Sequence, residues 1–261
     1  MTTLADPTRS FRLDGRIALV TGASSGIGRA IAIAFAAAGA RVALGARRID
    51  RLESLAADIR ASGGDALAVA LDVTDRSAIA SALDTIGQHF GIVDLAFNNA
   101  GIAQPAMFLK TDAAALESTM ATNFTAAWDV AQEVAKRLVA AKKPGSIINV
   151  TSVLGMGVGP GYSAYAASKA ALAQATRAMA LEFVRYGIRV NGIAPGWFVT
   201  EMNEAFFATA EGAAYLKKTP PGRAGQLDEL VGPALLLASN AGSFVNGVIL
   251  PVDGAHHVAL V

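Results

Sequence analysis

The stretch Ile17-Ala18-Leu19-Val20-Thr21-Gly22-Ala23-Ser24-Ser25-Gly26-Ile27-Gly28 decides the fold of this chain. Ile17–Val20 is a short apolar run and reads as a buried strand, while Gly26–Ala38 is amphipathic, alanine-rich and reads as a helix. The turn between them is rich in glycine. Strand, glycine turn and helix in that order make a cradle for a dinucleotide pyrophosphate. The glycines let phosphate approach bare backbone, and amide N–H groups at the helix start face its charge. Gly22, Gly26 and Gly28 are spaced Gly-x-x-x-Gly-x-Gly, not Gly-x-Gly-x-x-Gly, but the physical needs are the same.

Outward from this unit the rhythm continues. Val42–Ala46, Ala66–Leu71, Val93–Phe97, Ser146–Val150, Arg189–Ala194 and Val248–Pro251 read as strands. Ile49–Arg60, Asp75–Phe90, Asp112–Ala141, Tyr162–Tyr186 and Leu227–Ser239 read as helices. Such alternation implies parallel strands joined by right-handed crossovers. The expected architecture is a single-domain, doubly wound α/β fold of Rossmann type over residues 1–261, with a central, mostly parallel seven-stranded sheet. The rhythm breaks from Pro195 to Arg223, which predicts a helical flap over about 196–223 hinged at Gly196 and Gly222.

With 53% hydrophobic and 16% charged residues the chain has the composition of a globular protein with a large core. Lys+Arg 22 against Asp+Glu 21 gives no reason to expect a nucleic-acid partner. Cysteine is absent, which removes thiol catalysis, disulfides and Cys-ligated metal. The histidines are His89 and the adjacent His256 and His257, whose side chains point apart, so no metal site is expected and the pair reads as a surface tail. No apolar stretch is long enough to span a bilayer and Met1–Asp14 is polar, so no membrane association and a cytoplasmic location are expected.

The second informative stretch is Ser152 … Tyr165-Ala166-Ala167-Ser168-Lys169. Four residues apart on a helix, the phenol of Tyr165 and the ammonium of Lys169 share one face. A proton-transfer group joined to a phosphate cradle suggests hydride chemistry at a carbonyl or alcohol carbon. The coenzyme is read from the end of the second strand, Leu44-Gly45-Ala46-Arg47-Arg48, where an acid usually holds the ribose 2′-hydroxyl. A guanidinium there suits a 2′-phosphate instead, which favours NADP(H) over NAD(H). Asp72-Val73 ends the third strand; Asp72 either meets the adenine edge or N-caps the next helix.

With these elements in order, the chain resembles the short-chain dehydrogenase/reductase family over nearly its whole length. The matching residues are Thr21 to Gly28, Asn98-Asn99-Ala100-Gly101, Asn123, Ser152, Tyr165 with Lys169, and Pro195-Gly196 leading to Thr200. The resemblance implies Tyr165 as acid/base, with an ordinary pKa of about 10 that Lys169 would lower. Lys169 would also hold the nicotinamide ribose. Ser152 would bond the substrate oxygen, with Thr151 and Ser163 as rivals, and Asn123 would hold a water that relays protons to Lys169. Coenzyme would be held by Gly22, Ser24, Ser25, Gly26, Ile27 and Gly28, by Arg47, Arg48, Asp72 and Val73, by Asn99, Ala100 and Gly101, by Tyr165 and Lys169, and by Pro195, Gly196, Phe198, Thr200 and Met202.

Val153, Leu154, Met156, Tyr162, Trp197 and Phe206 are the substrate-pocket candidates. Their apolar character suits an oxoacyl compound or a small to medium ketone. The run Pro195 to Met202 also resembles sugar-acid dehydrogenases of the gluconate type, which is the alternative substrate class. A catalytically silent dinucleotide-binding regulator would be expected to lack Ser152, Tyr165 or Lys169, and all are present. The family's habit implies a homotetramer built on Asp112–Ala141 and Tyr162–Tyr186. The alanines Ala166, Ala170, Ala173 and Ala180 would serve either close helix approach or packing on the sheet.

Overall fold

Both faces of β1 (Ile17–Thr21) are covered, so every residue in it is buried. Its side chains alternate, Ala18 and Val20 entering one apolar core and Ile17 and Leu19 the other. The protein is represented by a computed structural model that describes residues 6–259. With β2 (Arg41–Ala46), β3 (Asp65–Ala70), β4 (Leu95–Asn98), β5 (Gly145–Val150), β6 (Ile188–Pro195) and β7 (Ile249–Val252), β1 forms one sheet in the order β3-β2-β1-β4-β5-β6-β7. Every pairing is parallel, where the sequence predicts a mostly parallel sheet. The chain winds outward one way from β1 to β3 and the other way from β4 to β7. The crevice at the carboxyl ends of β1 and β4 is therefore the switch point where such sheets bind ligands.

The helices are α1 (Gly26–Ala37), α2 (Ile49–Ala61), α3 (Arg76–His89), α4 (Ala113–Met120), α5 (Ala126–Ala140), α6 (Ser163–Phe183), α7 (Glu204–Phe207), α8 (Ala210–Lys218) and α9 (Val231–Ala238). Helices α1, α2 and α9 cover one face of the sheet, where Phe35 meets Phe97 edge-on at 5.8 Å. The other face packs under α3, α5 and α6 through residues such as Ile79, Val134 and Met179.

Two regions depart from the sequence reading. The single helix expected over Asp112–Ala141 is divided by a π-helical turn, Ala121–Thr125, which turns Asn123 into the interior at 1% exposure. The flap contains two short helices, α7 and α8, whose bounds the sequence left open. On α6, Ala166, Ala173 and Ala180 pack inward and Ala170 is exposed, so most of that stripe serves the core. The histidine pair is folded back rather than trailing. His256 lies 6.4 Å from Trp197 between ring centroids, and His257 Nδ1 is 2.7 Å from Asp253 Oδ2. Leu260 and Val261 lie outside the described residues. No helix among the described residues is long and apolar enough to cross a membrane.

Candidate active site

The turn after β1 needs glycine for two distinct reasons. Gly22 and Gly26 have φ of +66° and +53°, a region L side chains rarely adopt. Gly28 has an ordinary φ, but a Cβ there would collide with the Gly22 carbonyl oxygen and come within 2.6 Å of Asn99 Nδ2. Asn99 braces the turn from β4: Nδ2 donates to the carbonyls of Thr21 (3.1 Å) and Gly22 (3.2 Å). Thr21 Oγ1 accepts in return from the amides of Asn99 and Ala100. Ser25 precedes α1 without capping it through its side chain, so the first-turn amides are left to an anion. This bare, uncapped cradle fits a pyrophosphate.

Arg47, Arg48, Asp72 and Val73 line the same cleft, at the ends of β2 and β3. Arg48 donates from Nη2 to the hydroxyls of Ser24 and Ser25, 2.9 Å each, and from Nη1 to Glu201 Oε2 at 3.0 Å. The Arg47 side chain makes no hydrogen bond or ion pair among the described residues. Asp72 accepts from the amide and hydroxyl of Thr74, which hold its carboxyl below its usual pKa, with a smaller pull from Arg47. The residue that caps α3 is Asp75, not Asp72; its side chain accepts from the amides of Ser77 and Ala78.

At the ends of β4 and β5 the cleft, about 850 Å³ in volume, is lined by Gly101, Ser152, Tyr165 and Lys169. Ser152 begins the short turn Val153–Gly155, and its Oγ accepts from the Leu154 amide at 3.1 Å. The rival Thr151 directs its hydroxyl to the Ile193 carbonyl at 2.9 Å, and the other rival, Ser163, does not line the cleft. Lys169, 3% exposed, donates to the Val150 carbonyl at 2.8 Å, and burial pulls its pKa down to about 8. Burial pushes the Tyr165 phenol above its ordinary value, Ser152 pulls it back, and Tyr162 adds a smaller upward push. The expected lowering by Lys169 is not among these causes; its ammonium donates to Val150 and lies 5.7 Å from the phenol ring centroid.

Asn123 joins two elements around this group. Its Oδ1 accepts from the Ile102 amide (2.8 Å), and Nδ2 donates to the Ile102 carbonyl (2.9 Å) and Ser168 Oγ (3.1 Å). A Cβ on Gly101 would sit 3.2 Å from Asn123 Oδ1 and 3.5 Å from Lys169 Nζ, so this glycine lets both groups reach one spot.

Trp197 organises the far wall. Its ring meets Tyr162, Phe207 and Tyr215 edge-on, and its Nε1 donates to Tyr215 Oη at 3.1 Å. Val153, Leu154, Tyr162, Trp197 and Met202 line the cleft as expected, but Met156 and Phe206 do not. They are 46% and 41% exposed, and on α7 it is the neighbouring Phe207 that turns inward. Pro195, Gly196, Phe198 and Thr200 also line it. The Phe198 ring is buried in the core, while its carbonyl accepts from Asn203 Nδ2 at 2.9 Å. Gln104, Ser118, Thr122 and Asn203 reach the cleft too and were not singled out. Gln104 carried the one usable signal, a polar residue just past the Asn98–Gly101 turn.

Comparison with known proteins agrees with this arrangement. Residues 22–257 match the family model described as enoyl-(acyl carrier protein) reductase. The chain is 41% identical over 251 residues to the gluconate 5-dehydrogenase of Gluconobacter oxydans, covering 96% of this chain and 98% of that one. It is 36% identical over 244 residues to the 3-oxoacyl-(acyl-carrier-protein) reductase of Thermotoga maritima, covering 94% and 98%. A crystal structure of a gluconate 5-dehydrogenase from Burkholderia cenocepacia, in complex with NADP and tartrate, superposes with a TM-score of 0.93 at 39% identity, covering 98% and 100%. The chain is an oxidoreductase belonging to the short-chain dehydrogenase/reductase family.

Proposed function

We propose that the protein interconverts a ketone and a secondary alcohol, with NADP(H) as preferred coenzyme and Tyr165 as acid/base. One observation supports this above the rest: Tyr165, Ser152 and Lys169 share a continuous cleft with the glycine turn, Arg47 and Arg48. The turn would hold the pyrophosphate, the two arginines the 2′-phosphate, and Lys169 the nicotinamide ribose. Once bound, the nicotinamide supplies or takes up the hydride. Tyr165 gives a proton to the carbonyl oxygen in reduction and takes it back in oxidation, and Ser152 Oγ donates to the same oxygen. The phenol is protonated near neutrality, and burial, which raises its pKa further, favours the donor role.

For the substrate we infer a neutral molecule with an apolar face, an oxoacyl compound or a small to medium ketone. Among the described residues lining the cleft, the cations are Arg47, Arg48 and Lys169; the wall of Tyr162, Trp197 and Met202 carries none to hold a carboxylate. The second reading, a sugar-acid dehydrogenase, draws on the 41% identity to a gluconate 5-dehydrogenase. Following NADPH with an acetoacetyl thioester and with cyclic and aryl ketones, and NADP⁺ with gluconate, separates the two. Turnover of gluconate alone would overturn the neutral-substrate reading. A homotetramer remains part of the proposal, supported by exposed apolar side chains on α4, α5 and α6: Leu116, Trp128 and Leu181. Light scattering of the purified protein tests it.

A further inference from the structure

Glu201 is the first acidic residue of the flap, one position after Thr200, and its partners are far away in sequence. One carboxylate oxygen accepts from Arg48 Nη1 and the other from Arg51 Nη1, across separations of 153 and 150 residues. The same Arg48 guanidinium rests on the hydroxyls of Ser24 and Ser25, inside the glycine turn. Thr200 meanwhile packs against that turn, since a Cβ on Gly26 would lie 3.2 Å from Thr200 Cγ2. The flap is thus tethered to the coenzyme half of the cleft by an anion seated on one of the two guanidiniums at the end of β2.

We propose that Glu201 is a specificity-determining residue that competes with the coenzyme 2′-phosphate for Arg48, so that NADP(H) binding loosens the flap at the β2–α2 corner and leaves Glu201 to Arg51 alone. The inference rests on the NADP(H) reading given above. A carboxylate and a phosphate ask the same of an arginine, forked charge-assisted N–H donors, and one Nη1 cannot serve both in full. They also repel each other, so the anion that wins displaces the other. The two ion pairs hold Glu201 well into its ionised form, the hydrogen bond from Arg48 being the largest cause, so the competitor is charged at neutral pH. A phosphate brings more charge and more acceptor oxygens, and it is also held by Arg47, so it prevails. A coenzyme without the 2′-phosphate does not contest Arg48 and leaves the tether closed.

The test uses the whole protein and two fragments, 2′,5′-ADP and 5′-ADP, titrated calorimetrically against wild type and Glu201→Gln. The variant is expected to bind 2′,5′-ADP about fivefold more tightly, the size typical of a half-exposed ion pair, with 5′-ADP changed less than about twofold. If wild type prefers 2′,5′-ADP but Glu201→Gln leaves that preference unchanged, the competition is wrong and the coenzyme reading stands. Weaker binding in the variant would equally overturn it, because the carboxylate would then be orienting Arg48 for the phosphate. Equal affinity for the two fragments in both proteins would sink the coenzyme reading together with the proposal. Trypsin cleavage at Lys217 or Lys218 in α8 reports the flap: 2′,5′-ADP, not 5′-ADP, should speed it in wild type, and the variant should be cut quickly with either. Digestion that is the same in all four mixtures rules out the loosening of the flap.

Discussion

The ammonium of Lys169 donates to the carbonyl of Val150 at 2.8 Å. This bond ties the second turn of α6 to the last residue of β5, two positions before Ser152, and so fixes the spacing between serine and phenol. It also keeps the cation 5.7 Å from the Tyr165 ring centroid, beside the phenol rather than bonded to it. A single carbonyl is modest compensation for a charge that is only 3% exposed.

That burial makes stability depend on pH in a definite direction. Lys169 has a pKa of about 8 in the folded protein against 10.5 for a free lysine. Below pH 8 it is charged in both states, and folding bears the cost of burying the charge. Between 8 and 10.5 the unfolded chain binds the extra proton, so this group's contribution to stability rises with pH and is complete above 10.5. Relative to Lys169→Met, wild type should gain up to about 3 kcal/mol across that window. Urea unfolding at pH 7, 8.5 and 10 checks it; a gap that does not change with pH would mean the lysine does not titrate there.

Tyr165→Phe removes the proposed proton donor and leaves the ring in place. Turnover should fall by about 10²- to 10⁴-fold, the usual worth of a positioned acid/base, with NADPH affinity by fluorescence changed less than about twofold. In wild type, alcohol oxidation should climb as pH rises above neutrality, since burial keeps the phenol protonated and only the phenolate accepts a proton. Ketone reduction should fall over the same range. A variant keeping most of its kcat would remove Tyr165 from the chemistry.

The strands were legible because both faces of the sheet are covered, which writes β1 as an unbroken apolar run, Ile17–Val20, and β5 and β6 as runs broken only by buried or half-buried polar residues such as Asn149 and Asn191. That Ser152, Tyr165 and Lys169 share one cleft was legible because they lie just past one strand end and on one helix, four residues apart in the last two cases. The π-helical turn at Asn123 was not, since one extra residue in a turn leaves no mark on periodicity over so short a stretch. Phe206 and Phe207 are adjacent on α7, with ring centroids 5.3 Å apart; only packing decides that Phe207 is the buried one. Glu201 was invisible for a different reason: its partners are distant in sequence, and nothing near Thr200 records them.

The two arginines at the end of β2 should respond differently to substitution. Arg48 is engaged by Ser24, Ser25 and Glu201, whereas the Arg47 side chain has no bond among the described residues and is open to a ligand. Arg47→Asp should weaken 2′,5′-ADP by about 10- to 100-fold, the range for a charge-assisted hydrogen bond, and should shift kcat/KM toward NADH. Unchanged 2′,5′-ADP affinity would leave Arg48 as the reader of the phosphate.

Gly28 and Gly87 are glycine for different reasons. Gly28→Ala places a methyl group on the Gly22 carbonyl oxygen and 2.6 Å from Asn99 Nδ2, both parts of the braced turn, and neither can retreat without moving the phosphate cradle. The variant should melt at a lower temperature and lose the Tm increase that NADP⁺ gives wild type. Gly87 sits near the end of α3, exposed, with nothing within 4 Å of an added Cβ and no positive φ. Gly87→Ala should therefore stabilise the protein, by about 0.5–1 kcal/mol, and keep the full Tm response to NADP⁺. If Gly28→Ala retained that response, bare backbone at this position would not be what the phosphates require.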